Sequence, residues 1–224
     1  CARMLHELNL PMQESENLPS QNAAIEKQLE KLATALHMEL DELQKKAVLE
    51  CIRNGVFILS GGPGTGKTTT INMIIRYFEA EGLDIFLAAP TGRAAKRMTE
   101  ATGFEARTVH RMLELNSALS DENTRKVNFE RNEENPLEAD VVIIDEMSMV
   151  DIQLFQALLK AVAPGTRLVD IASLQHEEIH GLIIQRDLFP IVNSVRIHNN
   201  VAFLRLPENL LQLHGGELPA VNYI

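Results

Sequence analysis

The sequence predicts an α/β fold with a mainly parallel β-sheet flanked by helices, on three observations. Short, wholly apolar runs recur between helical stretches, a glycine-rich loop joins one run to a helix, and a pair of carboxylates closes another. Runs that are apolar at every position, rather than alternating, are expected of strands covered on both faces, and strands that alternate with helices form parallel sheets.

The elements follow in order. Residues 2–8 have a helical pattern, and 9–20, with Pro11, Pro19 and polar side chains, read as a linker. Residues 23–37 read as a helix. A further helix begins near Asp41 and places Leu43, Ala47, Val48, Cys51 and Ile52 on one stripe before Gly55 ends it. Residues 56–59 form the first apolar run, and a helix is expected over 67–81. Ile85–Ala89 is the second run, Gly92–Thr102 a helix, 108–115 another, and 141–144 the third run. Residues 116–140 are polar and charged, with a hint of strand at 127–129, and read as a surface insertion or hairpin. A helix over 152–162 leads to a fourth strand at 167–169. The expected division is a helical and linker segment over 1–37, a core over 38–169, and a continuation over 170–224 that the pattern places only weakly.

At 224 residues and 45% hydrophobic content, the chain can close a sizeable core. It holds no run near the roughly 18 apolar residues of a membrane span and no signal-peptide pattern at its start, so a cytoplasmic protein without membrane contact is expected. Beginning at Cys1 without an initiator Met, it reads as part of a longer protein. Cys51 lies on an apolar stripe and reads as a buried thiol rather than half of a disulfide with Cys1. The net charge of −10 argues against a surface coated with nucleic acid. One segment stands apart: residues 91–111 carry Arg93, Lys96, Arg97, Arg107 and Arg111 against only Glu100 and Glu105.

The chemistry is concentrated in two places. Gly61-Gly62-Pro63-Gly64-Thr65-Gly66-Lys67-Thr68 fits G-x-x-x-x-G-K-[ST], and it stands after a strand and opens a helix, the setting that gives the pattern meaning. Glycines let the loop wrap a triphosphate while backbone N–H groups and the helix N-terminus meet its oxygens. Lys67 then supplies a point charge, and Thr68 a hydroxyl for Mg²⁺. Asp145 and Glu146 end the strand at 141–144, at the edge where open α/β sheets carry their sites. Asp145 is expected to hold Mg²⁺ through water and Glu146 to orient and deprotonate the attacking water. Without the loop, the same pair could be a helix cap in a favourable dipole. Gln44 has two readings. It can close a capping box with Asp41, which the spacing favours, or its amide can read the edge of adenine.

Five ordered blocks resemble the RecD/TraA-type helicases of superfamily 1: 43–48 (LQKKAV), 61–70 (GGPGTGKTTT), 89–98 (APTGRAAKRM), 108–113 (TVHRML) and 145–151 (DEMSMVD). The resemblance runs from about Asp41 to Val169. It implies a RecA-like P-loop NTPase, the N-terminal motor domain of an ATP-dependent DNA helicase that moves 5′ to 3′ on single-stranded DNA. ATP and Mg²⁺ would be its cofactors, further helicase or nuclease subunits its partners, and DNA repair or recombination its setting. On this resemblance Gln44 takes the adenine-recognising role, with Gly62, Pro63, Gly64, Thr65, Gly66, Lys67, Thr68 and Thr69 on the nucleotide. Pro90, Thr91, Gly92 and Arg93 fall in a block that lies against the DNA backbone, and His110 in the adjoining one. Lys96 and Arg97 belong to the same basic segment, whose plainer reading is the solvated face of an ordinary helix.

The likeness fails after Val169. The family's Gly-Asp-x-x-Gln-Leu-Pro motif is absent, since Asp170 and Gln175 have the wrong spacing. The pattern H-E-x-x-H at 176–180 lacks a third ligand, is followed at once by Gly181, and reads as an exposed helical turn rather than a zinc site. With no second motor domain or arginine finger in view, the chain is expected to bind Mg-ATP, hydrolyse it slowly and not unwind DNA alone. An AAA+-type remodeller or loader would use the same loop, as would a nucleotide-gated binding module without turnover.

Overall fold

The computed structural model describes residues 1–13, 19–61, 64–115, 129–172, 194–198 and 201–205, the last two segments by their backbone alone. Gly62, Pro63, Gln175 and the pattern at 176–180 lie outside the described residues.

The helices are α1 (Ala2–Gln13), α2 (Pro19–Ala35), α3 (Glu42–Arg53), α4 (Lys67–Ala80), α5 (Gly92–Thr102), α6 (Val109–Met112) and α7 (Ile152–Ala161). The strands are β1 (Val56–Gly61), β2 (Ile85–Ala89), β3 (Ala106–Thr108), β4 (Val141–Asp145), β5 (Arg167–Ala172), β6 (Ser194–His198) and β7 (Val201–Arg205). They form one sheet in the order β3-β2-β4-β5-β1-β7-β6. The strands from β3 to β1 are mutually parallel, and β7 and β6 add to the β1 edge antiparallel. The expected architecture, a mainly parallel sheet flanked by helices, is the one found.

Period-two alternation explains why the central strands read as continuous apolar runs. Val141 and Ile143 pack with Val48, Cys51, Met73 and Phe78 of α3 and α4, while Val142 and Ile144 pack with Leu8, Met112 and Leu158 of α1, α6 and α7. Each strand thus fills two cores at once, and side chains of this kind contribute about 1.5–3 kcal/mol each when fully buried. Cys51 belongs to the first core, and burial raises its thiol well above the ordinary range.

Three expectations are corrected. The linker assigned to 9–20 is partly helical, because α1 runs through Gln13 and α2 begins at Pro19. The reason is tertiary. Leu8 and Asn9 are buried against the sheet, and Asn9 Oδ1 accepts the Val56 N–H at 3.1 Å, so α1 is held on β1 although Pro11 lacks an N–H to donate. The helix expected over 108–115 is shortened to the single turn α6, which Thr108 Oγ1 caps by accepting the Arg111 N–H, and a three-residue edge strand, β3, precedes it. Segments this short carry no legible period. The strand at 167–169 extends to Ala172, so Asp170 is inside the sheet rather than at the start of a tail. A bridge between Leu115 and Phe129 closes the neck of the polar insertion, in keeping with a hairpin base.

The α1 seam can be tested. A Cβ at Gly55 would strike the Leu8 carbonyl and lie 3.1 Å from Asn9 Cα, and Asn9→Ala would leave a buried N–H unpaired. Each change should lower stability in urea unfolding by about 1–3 kcal/mol, whereas an exposed change on the same helix, Glu7→Ala, should move it by less than about 1 kcal/mol.

Candidate nucleotide and nucleic-acid site

Because β1, β2, β3 and β4 run in parallel, their C-terminal ends meet at one edge of the sheet. The phosphate loop leaves β1, Pro90–Gly92 leaves β2, Thr108–His110 leaves β3, and Asp145–Glu146 ends β4. Every block singled out in the sequence except Gln44 reaches this edge through a strand end, and Gln44 arrives from the first turn of α3. β5 lies between β1 and β4, with Ile58 and Ile144 on either side of Asp170.

The loop is shaped for a close ligand. Gly64 and Gly66 have φ of 78° and 77°, left-handed values that L side chains rarely adopt. Gly66 is the N-cap of α4 and supplies no side-chain cap, so no cap side chain occupies the amides of the first turn, which are left to an anion. A Cβ at Gly61 would stand 2.7 Å from Thr65 Oγ1, and one at Gly66 would run into Gln44 Nε2. Lys67 donates to the Gly61 carbonyl, and burial lowers its pKa while Asp145 raises it. Thr68 is exposed at the mouth, Thr69 is half-buried, and Thr70 Oγ1 donates to the Gly66 carbonyl at 3.2 Å.

Of the two readings of Gln44, the hydrogen bonds show the cap. Its backbone N–H donates to Asp41 Oδ1 at 2.8 Å and its Oε1 accepts the Asp41 N–H at 3.1 Å, which completes the capping box. Its Nε2 faces Gly66, so the amide forms a wall of a cleft of about 260 Å³ that Leu43, Gly64, Thr65 and Lys67 also line. A cleft of that size suits a base and sugar, with phosphates left to the open loop.

The carboxylates are set differently. Asp145 is half-buried; burial, then the Glu146 charge, raises its pKa, against Lys67 and Arg97. An oxygen donor destabilised in this way, within electrostatic reach of Lys67, suits a hard dication. Glu146 has φ 59° and ψ 40°, unusual for a residue with a side chain, and its N–H is fixed on the Ile171 carbonyl at 2.9 Å. Its Oε1 accepts from Arg97 Nη2 at 2.7 Å. Asp170, which the sequence reading left in the tail, has its pKa raised to about 7, first by burial and then by Asp145; its Oδ1 has no hydrogen-bond partner among the described residues. Its signal was a carboxylate within an apolar strand, obscured because the strand appeared to end one residue earlier.

In the basic segment, Thr91 Oγ1 caps α5 by accepting the Ala94 N–H, and Pro90 is half-buried. Gly92, Arg93, Lys96, Arg97 and His110 are exposed. Lys96 lies 3.8 Å from Glu100 and Arg107 bonds Glu105, both within the segment, whereas Arg97 reaches across to Glu146 at the end of β4.

A sheet edge that gathers a glycine phosphate loop, a Lys and a strand-borne Asp-Glu pair defines a P-loop nucleotide-binding domain. The family model described as "AAA domain" matches residues 44–172, more than half of the chain, and the chain belongs to that family. It is similar to the ATP-dependent RecD2 DNA helicase of Deinococcus radiodurans, 38% identical over 130 residues covering 58% of this chain and 17% of the relative. RecBCD enzyme subunit RecD of Haemophilus influenzae is 34% identical over 194 residues, 74% of this chain and 29% of its own. The ATP-dependent DNA helicase dda of Enterobacteria phage T4 is 39% identical over 115 residues, 50% of this chain and 26% of its own. The chain thus spans less than a third of the length of these relatives. Among solved structures, a Bacteroides Pif1 helicase has a TM-score of 0.43 at 22% identity over 70% of this chain and 37% of its own, a loose likeness. Among the described residues no helix is long and apolar enough to cross a membrane.

Gly66→Ala tests the loop geometry. Left-handed backbone strain of about 1–2 kcal/mol and displacement of Gln44 should lower the unfolding midpoint and weaken binding of a fluorescent ATP analogue at least about tenfold. Parental affinity in the variant would contradict this account of the loop.

Proposed function

We propose that the chain is the ATP-binding half of a DNA helicase motor, coupling hydrolysis of Mg-ATP to movement on single-stranded DNA, with 5′ to 3′ polarity. The observation that carries the reading is the meeting of the phosphate loop, Asp145–Glu146 and the exposed basic side chains of α5 and α6 at one sheet edge. Sequence similarity to proteins named as ATP-dependent DNA helicases supports it.

The roles follow from chemistry. Backbone N–H groups of the loop, Gly62 among them, and of the α4 N-terminus hold the phosphates, Pro63 shapes the loop without donating, and Lys67 leaves its resting contact with Gly61 to neutralise the phosphates. Mg²⁺, held by Thr68 and by Asp145 through water, would supply charge compensation at the phosphate oxygens. Gln44 donates from Nε2 to the base while its Oε1 retains the helix cap, since the cap uses the amide oxygen and leaves the NH₂ hydrogens to the base. Glu146 takes a proton from water as the water oxygen bonds to the γ-phosphorus; the bond to the bridging oxygen breaks and the ADP oxygen keeps its electron pair. Pro90, Thr91, Gly92, Arg93, Lys96 and His110 face the DNA backbone, a contact that tolerates any sequence and weakens with salt. Helicase or nuclease subunits, DNA repair or recombination, and a cytoplasmic setting belong to the same proposal. So does the division into 1–37, a motor core over 38–169 and a continuation over 170–224.

ATPase assays on the full-length protein, with and without single-stranded DNA, test the function. Lys67→Ala should abolish binding or turnover. Glu146→Gln should keep ATP affinity and lower kcat by about 10²–10⁴-fold. ATP consumption at background in the parent and unchanged in Glu146→Gln would leave a nucleotide-gated binding module, and turnover indifferent to DNA would favour a remodeller or loader.

A further inference from the structure

Glu146 and Arg97 belong to different functional groups, yet they share an ion pair that, among the described residues, alone links the basic segment to the carboxylates. Arg97 Nη2 donates to Glu146 Oε1 at 2.7 Å, from the middle of α5 to the end of β4. The two ends are unlike. The Glu146 backbone is held by its left-handed turn and by the Ile171 carbonyl, and its side chain is 24% exposed. The Arg97 side chain is 61% exposed and lies on the face that also presents Arg93 and Lys96. An anion arriving from solvent therefore reaches the guanidinium before it reaches the carboxylate.

We propose that Arg97 is a positioning residue that holds Glu146 turned toward α5 while no nucleic acid is bound, and that a DNA backbone phosphate draws it away and frees Glu146 for the attacking water. The proposal rests on the helicase reading and adds the link between its two halves. An exposed Arg–carboxylate pair is weak, because solvent screens it and both side chains lose freedom. A backbone phosphate offers two anionic oxygens to the guanidinium fork and, placed among Arg93, Lys96 and Arg97, meets three cations where Glu146 meets one. The exchange conserves charge pairing: Arg97 passes from carboxylate to phosphate, and the Glu146 side chain, no longer held toward α5, is free to turn to the attacking water. Arg97 thus makes no contact with ATP in this account, and its effect is on turnover rather than nucleotide affinity.

The test compares parental, Arg97→Ala and Arg97→Lys full-length proteins. It measures steady-state ATPase with and without an oligothymidylate, affinity for a fluorescent ATP analogue, and oligothymidylate affinity by anisotropy. Arg97→Ala should raise DNA-free kcat by about fivefold, the factor an exposed ion pair is worth, with ATP affinity unchanged and the stimulation by DNA reduced by a similar factor. Arg97→Lys, which keeps the charge but not the fork, should fall between the two. A DNA-free kcat in Arg97→Ala equal to or below the parental value, in a protein whose parent is DNA-stimulated, would overturn the proposal and leave the helicase reading standing. A parental protein that turns over ATP without any response to the oligothymidylate would overturn both.

Discussion

Backbone pairing of β5 between β1 and β4 is the constraint on which the site depends. The phosphate loop at 61–68 and the carboxylate pair at 145–146 lie about eighty residues apart in the chain, but both strands are hydrogen-bonded to β5 in parallel register, with Asp145 opposite Ile171 and Ser60 opposite Ala172. Parallel pairing brings both C-terminal ends to the same edge, one strand apart, and the apolar side chains on the two faces hold that spacing. Displacement of β5 by two residues would keep the same faces buried but would move Glu146 off the Ile171 carbonyl. The apolar cores therefore set the position of the polar groups, although they take no part in the chemistry.

Local cost is concentrated where the ligands are expected. Gly66 and Glu146 both occupy the left-handed region, one without a side chain and one with, and Asp145 and Asp170 are carboxylates held in an environment that disfavours their charge. A fold selected only for stability would put an apolar residue at 170 and a glycine at 146. Strain and desolvation at the sheet edge, set against well-packed cores on both faces, are what a preorganised anion and cation site requires. The Arg97–Glu146 pair adds a weak contact to this arrangement, and weakness suits a link that has to exchange partners.

Much of this was legible in the sequence. β2 and α5 have the limits that their apolar run and helical stripe predict, and β1, α4, β4 and α7 differ by a residue or two, because each fills a core at a regular period. The capping box at Asp41 and Gln44 was readable from spacing, and the loop from its pattern. What was not legible depended on contacts distant in sequence. The Pro11 region reads as a linker until Asn9 is seen bonded to Val56, and β3 gains strand character only by pairing with β2. The left-handed turn at Glu146 and its reach to Arg97 follow from the positions of β5 and α5, which no local pattern encodes.

The central claim is that nucleotide is held at the C-terminal edge between β1 and β4. Titration of the isotope-labelled 224-residue chain with Mg·ADP, followed by amide NMR, tests it most directly. Saturable shifts should be largest at Gly64, Thr65, Gly66, Lys67 and Thr68, extend to Gln44 and Asp145, and be small in α7. Saturable shifts confined to other surfaces, such as the groove between α2 and α3, or no shifts at the loop, would contradict the account.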